Sequence, residues 1–250
     1  MAKKAVCLLS GGLDSCVTLF LAKKQGYQLY ALSFDYGQIH KKELICAKKI
    51  AAAAQVKKHI IFPLNLKRFG GSSLVDPSLQ IPMDKTLKTI GKRIPSTYVP
   101  ARNTIFLSLA LAYAETIDAN AIFIGAHATD YSGYPDCRPE FFESFQTMVD
   151  HATKKTVEHK SIRICTPVLH LSKTEIIKTG ITLGVPFEHT WSCYAGKAKA
   201  CGRCESCLLR LQGFQDAGRN DPVPYASYPA WYKKKLVTAE AHCSSSSSFL

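Results

Sequence analysis

Short apolar runs alternate with longer amphipathic stretches along most of this chain. Ala5 to Leu9 is an apolar run bounded by glycine, the pattern of a strand buried on both faces of a parallel sheet. Leu13 to Gln25 carries apolar residues at 17, 20 and 21 and stops at Gly26, which predicts a helix. Leu29 to Phe34 predicts a second strand, Gln38 to Gln55 a long helix, and His59 to Leu64 a third strand. The long helix is basic on one face and alanine-rich on the other. Ala101 to Asp118 predicts a helix too apolar all round to be exposed, so it belongs against the sheet. A fourth strand follows at Ala121 to Gly125, then a helix at Pro139 to Thr156 that opens on proline. Ile162 to Val168 predicts a fifth strand. Ser172 with Glu175 three residues on is a capping box, and Gly184 closes the helix it starts.

Strand alternating with helix argues for βαβ units. The expected fold class is α/β: a doubly wound, mainly parallel five-stranded sheet flanked by helices. Three segments are expected: residues 1–187 as the α/β domain, 188–220 as a cysteine-rich segment with one short helix at Cys204 to Ala217, and 221–250 as a tail. Asn65 to Val99 breaks the rhythm, with prolines at 77, 82 and 95 and no convincing period, and is expected to be a functional lid or disordered. The tail ends in the low-complexity run Ser244 to Ser248. Its last eight or so residues are expected to be disordered, because they bury too little apolar area to offset chain entropy.

Composition adds limits. Of 250 residues, 46% are hydrophobic and 20% charged, which suits a globular chain with one substantial domain. No stretch approaches the ~20 consecutive apolar residues that span a bilayer. The run before Ser10 is too short for a signal peptide, so the expected location is cytoplasmic. In that setting ten cysteines point to metal binding or catalysis rather than disulfides. Cys7, Cys16, Cys46 and Cys165 lie in apolar segments and read as small core residues. The formal charge of +13 invites a nucleic-acid reading, but the lysines are scattered in pairs without interleaved aromatic residues. A basic surface also suits small anionic substrates, so nucleic acid is not expected as a partner.

The junction after the first strand is Ser10-Gly11-Gly12-Leu13-Asp14-Ser15. The first amides of the helix have no intrahelical partner there, and the helix dipole favours an anion. Two glycines let the backbone approach a phosphate, and Ser10 and Ser15 add hydroxyl donors. Asp14, an anion, is expected to hold the loop or a divalent ion bridging the phosphates. No lysine follows the glycines, so this is not a Walker-type loop. It resembles the pyrophosphate loop of the ATP pyrophosphatases with the adenine nucleotide alpha hydrolase-like fold. That resemblance implies ATP, carried with Mg²⁺, cleaved between its α and β phosphates to adenylate a substrate oxygen. ATP-contacting residues are then expected across Leu9, Ser10, Gly11, Gly12, Leu13, Asp14, Ser15, Cys16 and Val17.

Three further strings fall at the edge of the sheet where open α/β folds bind ligands. They are Ser33 to His40 after the second strand, Tyr98 to Asn103 before the apolar helix, and Asp130 to Arg138 after the fourth strand. Together they offer aromatic rings for a planar base, Arg102 and Arg138 for carboxylate or phosphate, and Asp130 and Asp136 for ring N–H groups or a metal. Candidate substrate contacts are Phe34, Tyr36, Gln38, Tyr98, Arg102, Asn103, Asp130, Tyr131, Tyr134, Asp136, Cys137 and Arg138. Cys137 is read as pocket lining rather than a nucleophile, since no pairing histidine can be assigned. Asp14, Arg102 and Arg138 are the candidates for direct catalysis, with no acid or base assigned.

Cys193, Cys201, Cys204 and Cys207 form C-x7-C-x2-C-x2-C, a set able to close tetrahedrally on one zinc ion. The spacing also occurs in iron–sulfur ligation, where the fourth cysteine lies near a proline, which is missing here. The neighbours Gly202, Arg203, Glu205 and Ser206 are expected to offer the bare thiols no apolar setting. With four protein ligands the zinc is structural.

SGGLDS, FDYGQIH, YVPARN, DYSGYPDCR and the cysteine set together resemble the 7-cyano-7-deazaguanine synthase family, often called QueC, over residues 5 to about 220. The resemblance implies conversion of 7-carboxy-7-deazaguanine and ammonia to the nitrile preQ0 at the expense of ATP, in queuosine biosynthesis. It also implies a zinc held by the four cysteines. No glutaminase signature accompanies the domain, so free ammonia is expected to serve. Rival readings are a tRNA-thiolating ATP pyrophosphatase and a zinc-ribbon protein that binds nucleic acid. The first lacks an evident RNA-binding appendage, and the second leaves the three strings unexplained. An exposed helix pair could support a homodimer.

Overall fold

The computed structural model describes residues 2–90, 93–127, 133–158 and 160–234. Five strands form one sheet: β1 (Lys4–Leu8), β2 (Gln28–Asp35), β3 (Lys58–Pro63), β4 (Ala121–Phe123) and β5 (Arg163–Cys165). Their order is β3-β2-β1-β4-β5, and every pairing is parallel. The helices are α1 (Leu13–Lys24), α2 (Lys42–Ala54), α3 (Arg102–Thr116), α4 (Pro139–Ala152), α5 (Lys154–Val157), α6 (Lys173–Thr182) and α7 (Glu205–Asp216). The doubly wound parallel sheet is the one the strand–helix alternation predicts.

The pleat of β1 explains why it is central. Ala5 and Cys7 point into one core with residues of α1, α2, α6 and α7, and Val6 and Leu8 into the other with α3 and α4. All four are buried. Each fully buried aliphatic side chain contributes roughly 1.5–3 kcal/mol, so both faces are held mainly by apolar burial. Because β1 is followed in space by β2 on one side and β4 on the other, the chain winds away in both directions. That reversal opens a crevice at the carboxyl ends of β1, β2 and β4.

Several boundaries differ from the sequence pattern for local reasons. The long second helix begins at Lys42 rather than Gln38, because residues 38–41 are held out of the helix by bonds to other segments. The Gln38 side chain accepts from the Tyr36 amide and donates to the Phe34 carbonyl, and the Ile39 amide bonds to Leu74. The expected helix from Pro139 to Thr156 breaks at Thr153, whose backbone is extended and whose hydroxyl caps the separate turn α5. β5 ends at Cys165, before Pro167, and residues 166–171 continue as turns.

Within 65–99, the described residues dock on the body of the fold. Ser72, Ser73, Val75 and Thr97 are buried, Met83 pairs with Cys204, and Lys85 donates to the Glu205 carboxylate at 2.5 Å. The part of the tail that is described is also packed: Arg210 and Asp221 form a buried ion pair, and the Tyr225 hydroxyl donates to Asp221. The terminal residues for which disorder is expected lie outside the described residues. Among the described residues no helix is long and apolar enough to cross a membrane.

Candidate active site

A cavity of about 270 Å³ fills the crevice at the carboxyl ends of β1, β2 and β4. The loop 10–15 forms its floor. Gly11 has φ +89°, and a Cβ there would lie 2.0 Å from the Glu43 carbonyl, so only glycine lets α2 pack against the loop. On the other side Gly125 lies against the main chain of Asp14 and Ser15, with no room for a side chain. Ser10 and Ser15 brace the loop, their hydroxyls 3.0 Å apart, with Ser10 accepting from the Gly12 amide and Ser15 donating to the Gly12 carbonyl. The amides of Leu13, Asp14 and Ser15 have no intrahelical acceptor and form the positive end of α1.

Leu9, Ser10, Gly12, Leu13, Asp14 and Ser15 line the cavity. Gly11 does not, and Cys16 and Val17 are wholly buried in the core behind it. The Cys16 amide already donates to Gly12, so neither residue presents a free group to the cavity through its first turn.

Of the substrate candidates, Phe34, Tyr36, Gln38, Arg102, Asn103, Tyr134 and Cys137 line the same space. Phe34 stacks on Phe106 at 4.0 Å, giving an aromatic wall, and Arg102 lies 5.9 Å from the Tyr36 ring centroid. Tyr98 does not line the cavity; its ring lies 5.9 Å from that of Tyr134 and its hydroxyl accepts from the Ala101 amide. Asp136 is buried and accepts from the Asn103 amide, which fixes the start of α3. Arg138 is exposed at the start of α4 and does not line the cavity. Asp130 and Tyr131 lie outside the described residues.

Electrostatics separate these groups. Burial pushes the Cys137 thiol up to about 12, with Asp136 adding to the shift, so it is a poor nucleophile near neutrality. Burial also raises Asp14, but the attraction of Lys173 and then His127 outweighs it and holds the carboxyl below its ordinary range. The Lys173 ammonium donates to both Asp14 oxygens, at 2.7 and 2.8 Å, and lies 2.8 Å from His127 Nε2. The Asp14 carboxylate therefore faces a lysine. Burial likewise raises the Glu43 carboxyl to about 7, with Arg102 opposing the shift and Cys193 adding to it.

Lys173, His127, Glu43, Tyr194 and Arg210 are among the cavity residues that motif reading missed. A signal existed for Lys173. The capping box at Ser172 and Glu175 is formed, and it fixes Lys173 as the first residue of α6. Glu43 lay inside a stretch read only as a basic and alanine-rich helix.

The four cysteine sulfurs lie within 4.8 Å of one another and can hold one metal ion. The amides of Ala195 and Cys201 donate to the Cys193 sulfur, and those of Arg203 and Cys204 to the Cys201 sulfur. Such donors favour thiolates. The setting is more apolar than the neighbouring sequence suggests. Cys193, Cys204 and Cys207 are buried among Trp191, Leu211, Val223 and Tyr225, and even Glu205 is buried. Trp191 just before the segment, Leu211 from α7 and Val223 and Tyr225 from the tail supply that cover. The segment also touches the loop 10–15: the Trp191 amide donates to the Gly11 carbonyl, and the Lys42 ammonium sits 3.3 Å over the Trp191 ring.

A family model described as "Queuosine biosynthesis protein QueC" matches residues 4–218. The 7-cyano-7-deazaguanine synthase of Thermosynechococcus vestitus is 55% identical over 91% of this chain and 97% of its own length. That of Thermoplasma volcanium is 50% identical over 95% of this chain and 97% of its own. An NMN synthetase from Francisella tularensis superposes more loosely, with a TM-score of 0.48 and 17% identity over 88% of this chain and 79% of that one. The family model spans the whole sheet, the crevice and the four cysteines, and the chain belongs to the QueC family of queuosine biosynthesis proteins.

Proposed function

We infer that this enzyme converts 7-carboxy-7-deazaguanine and ammonia to 7-cyano-7-deazaguanine, consuming ATP through adenylated intermediates. The observation that carries the reading is one cavity in which a helix-start anion loop, the Arg102 guanidinium and an aromatic wall face each other. In this reading the amides of Leu13 to Ser15 and the Ser10 hydroxyl hold the phosphates of ATP, taken as its magnesium complex. Arg102 holds the substrate carboxylate, and Phe34, Tyr36 and Tyr134 enclose the planar ring. The carboxylate oxygen attacks the α-phosphate and pyrophosphate leaves. Ammonia then displaces AMP to give the amide. A second adenylation, on the amide oxygen, is followed by loss of AMP to the nitrile. Preorganised donors along this path stabilise the charge that develops on the phosphates.

Lys173 stands where the loop meets the second half of the cavity, an adjoining space of about 170 Å³. Its ammonium, held by Asp14, is placed to follow the phosphate charge. Asp14 in this account orients Lys173.

The cysteine set suits zinc. Sulfurs bound to one zinc at about 2.3 Å stand roughly 3.8 Å apart in a tetrahedron, and Cys201 and Cys207 are separated by 3.9 Å. Four protein ligands leave no open position, so the metal's part is to fix residues 191–207 beneath the phosphate loop. The test of the adenylation step is exchange of labelled pyrophosphate into ATP. Exchange that depends on 7-carboxy-7-deazaguanine and needs no ammonia is the expected result; exchange indifferent to that acid contradicts it.

A further inference from the structure

After β4 the chain runs through Ala126 and His127, both buried, along the adjoining space of about 170 Å³. The His127 ring faces Lys173: its Nε2 lies 2.8 Å from the lysine nitrogen and 3.8 Å from an Asp14 carboxylate oxygen. An ammonium carries N–H donors and no acceptor, so the ring nitrogen accepts at this contact. The neutral imidazole then carries its proton on Nδ1. The same ammonium donates to both Asp14 oxygens, at 2.7 and 2.8 Å. Three acceptors, two from α1 and one from the segment after β4, therefore converge on a group with three N–H donors.

The three acceptors are not equivalent. Asp14 offers the ammonium a full negative charge, whereas the neutral ring offers a lone pair. A phosphate oxygen approaching Lys173 competes best for the N–H that His127 holds, because a neutral acceptor is there exchanged for an anion. Lysine is also a point charge on a flexible stem, and Asp14 grips it from one side. The ring on the other side sets the direction of the third N–H. We propose that His127 is a positioning residue, holding the Lys173 ammonium toward the adjoining space and yielding its N–H to a phosphate oxygen as pyrophosphate departs. This rests on the synthase reading above, in which Lys173 follows the phosphate charge. The ring stays neutral throughout, and one hydrogen bond replaces another as the bond between the α-phosphorus and the pyrophosphate oxygen breaks. The advantage is gained in the transition state, so the ring serves the rate of exchange more than ATP affinity.

Kinetics of pyrophosphate exchange in three variants test this role. His127→Leu has no acceptor and is expected to lower the maximal exchange rate about 10- to 100-fold, with KM for ATP within about threefold of wild type. His127→Gln sets an amide oxygen near the Nε2 position and is expected to recover the rate to within about fivefold of wild type. In a Lys173→Met background, His127→Leu is expected to cost no more than about twofold, because the ring acts through the lysine. A ring that only fills space gives another pattern. His127→Gln no better than His127→Leu, or the full loss repeated in Lys173→Met, overturns the proposal. So does His127→Leu at the wild-type rate, or a raised KM for ATP with an unchanged maximal rate. Wild-type protein without exchange dependent on 7-carboxy-7-deazaguanine brings down the synthase reading and this proposal together, whereas failure confined to the variants touches His127 alone. If thermal melting shows that H127L does not fold, His127→Phe is measured in its place with the same expectations, since it fills the space of the ring without a nitrogen acceptor.

Discussion

Replacing Gly11 by alanine tests the most constrained contact in the site. Gly11 has φ +89°, where an L side chain costs about 1–2 kcal/mol. The added Cβ would meet the Glu43 carbonyl oxygen at 2.0 Å and the Ala47 amide at 2.9 Å, both main-chain atoms of α2. Neither can rotate away. Helix α2 is anchored by Ala47, Ile50 and Ala51, all buried, so it must shift bodily or the loop must. Such overpacking costs about 1–3 kcal/mol, and the sum is about 3 kcal/mol. For a chain this size the melting temperature falls by roughly 6–12 °C. Gly12 is the internal control. It has an ordinary backbone, and its Cβ would meet only the Ser10 hydroxyl at 3.2 Å and the Trp191 carbonyl at 3.7 Å. Gly12→Ala should melt within about 2 °C of wild type but weaken ATP binding, because Gly12 lines the cavity. Calorimetry and ATP titration on the two variants decide the matter. G11A melting with wild type would refute the packing described here.

Other expectations follow from named contacts. Lys173→Met should lower pyrophosphate exchange by about 10²- to 10³-fold while leaving the protein folded, which exchange assays and thermal melting check together. Asp14 has a depressed carboxyl, so its contribution to stability is present above the ordinary carboxylate range and lost as pH falls through its lowered midpoint. Asp14→Asn should therefore flatten the acid limb of stability against pH, read from urea midpoints; an unchanged limb contradicts the Lys173 pairing. Arg210→Met leaves the buried Asp221 carboxylate without its guanidinium and should cost about 3–5 kcal/mol in urea denaturation. Cys204→Ser should lower the metal content below one ion per chain and the melting temperature with it, as metal analysis and calorimetry would record.

Much of the fold can be read from the chain because parallel strands buried on both faces are continuous apolar runs. Ala5 to Leu9 and Leu29 to Phe34 carry no competing pattern. Helix ends are less legible where side chains intervene. Gln38 belongs by composition to a helix, but its amide group is spent on the turn before α2. Thr153 breaks an otherwise continuous amphipathic pattern by capping its own short turn. The place of the loop 10–15 at the cavity is legible because its glycines and hydroxyls follow the strand directly. Lys173 and Glu43 are not: Lys173 reaches the cavity from a helix far along the sequence, brought there by the sheet order, and Glu43 sits in the first turn of a helix whose composition gives it no distinguishing mark. Arg138 shows the opposite error: a cation within a loop motif, carried to the surface by the start of α4.

The central claim is the formation of a nitrile at this cavity. Metal-replete protein incubated with 7-carboxy-7-deazaguanine, ammonium and Mg-ATP, with products followed by mass spectrometry, tests it most directly. The account predicts a product of the mass of 7-cyano-7-deazaguanine, with AMP and pyrophosphate, absent from Lys173→Met. ATP consumption by the wild-type protein with no nitrile would contradict it.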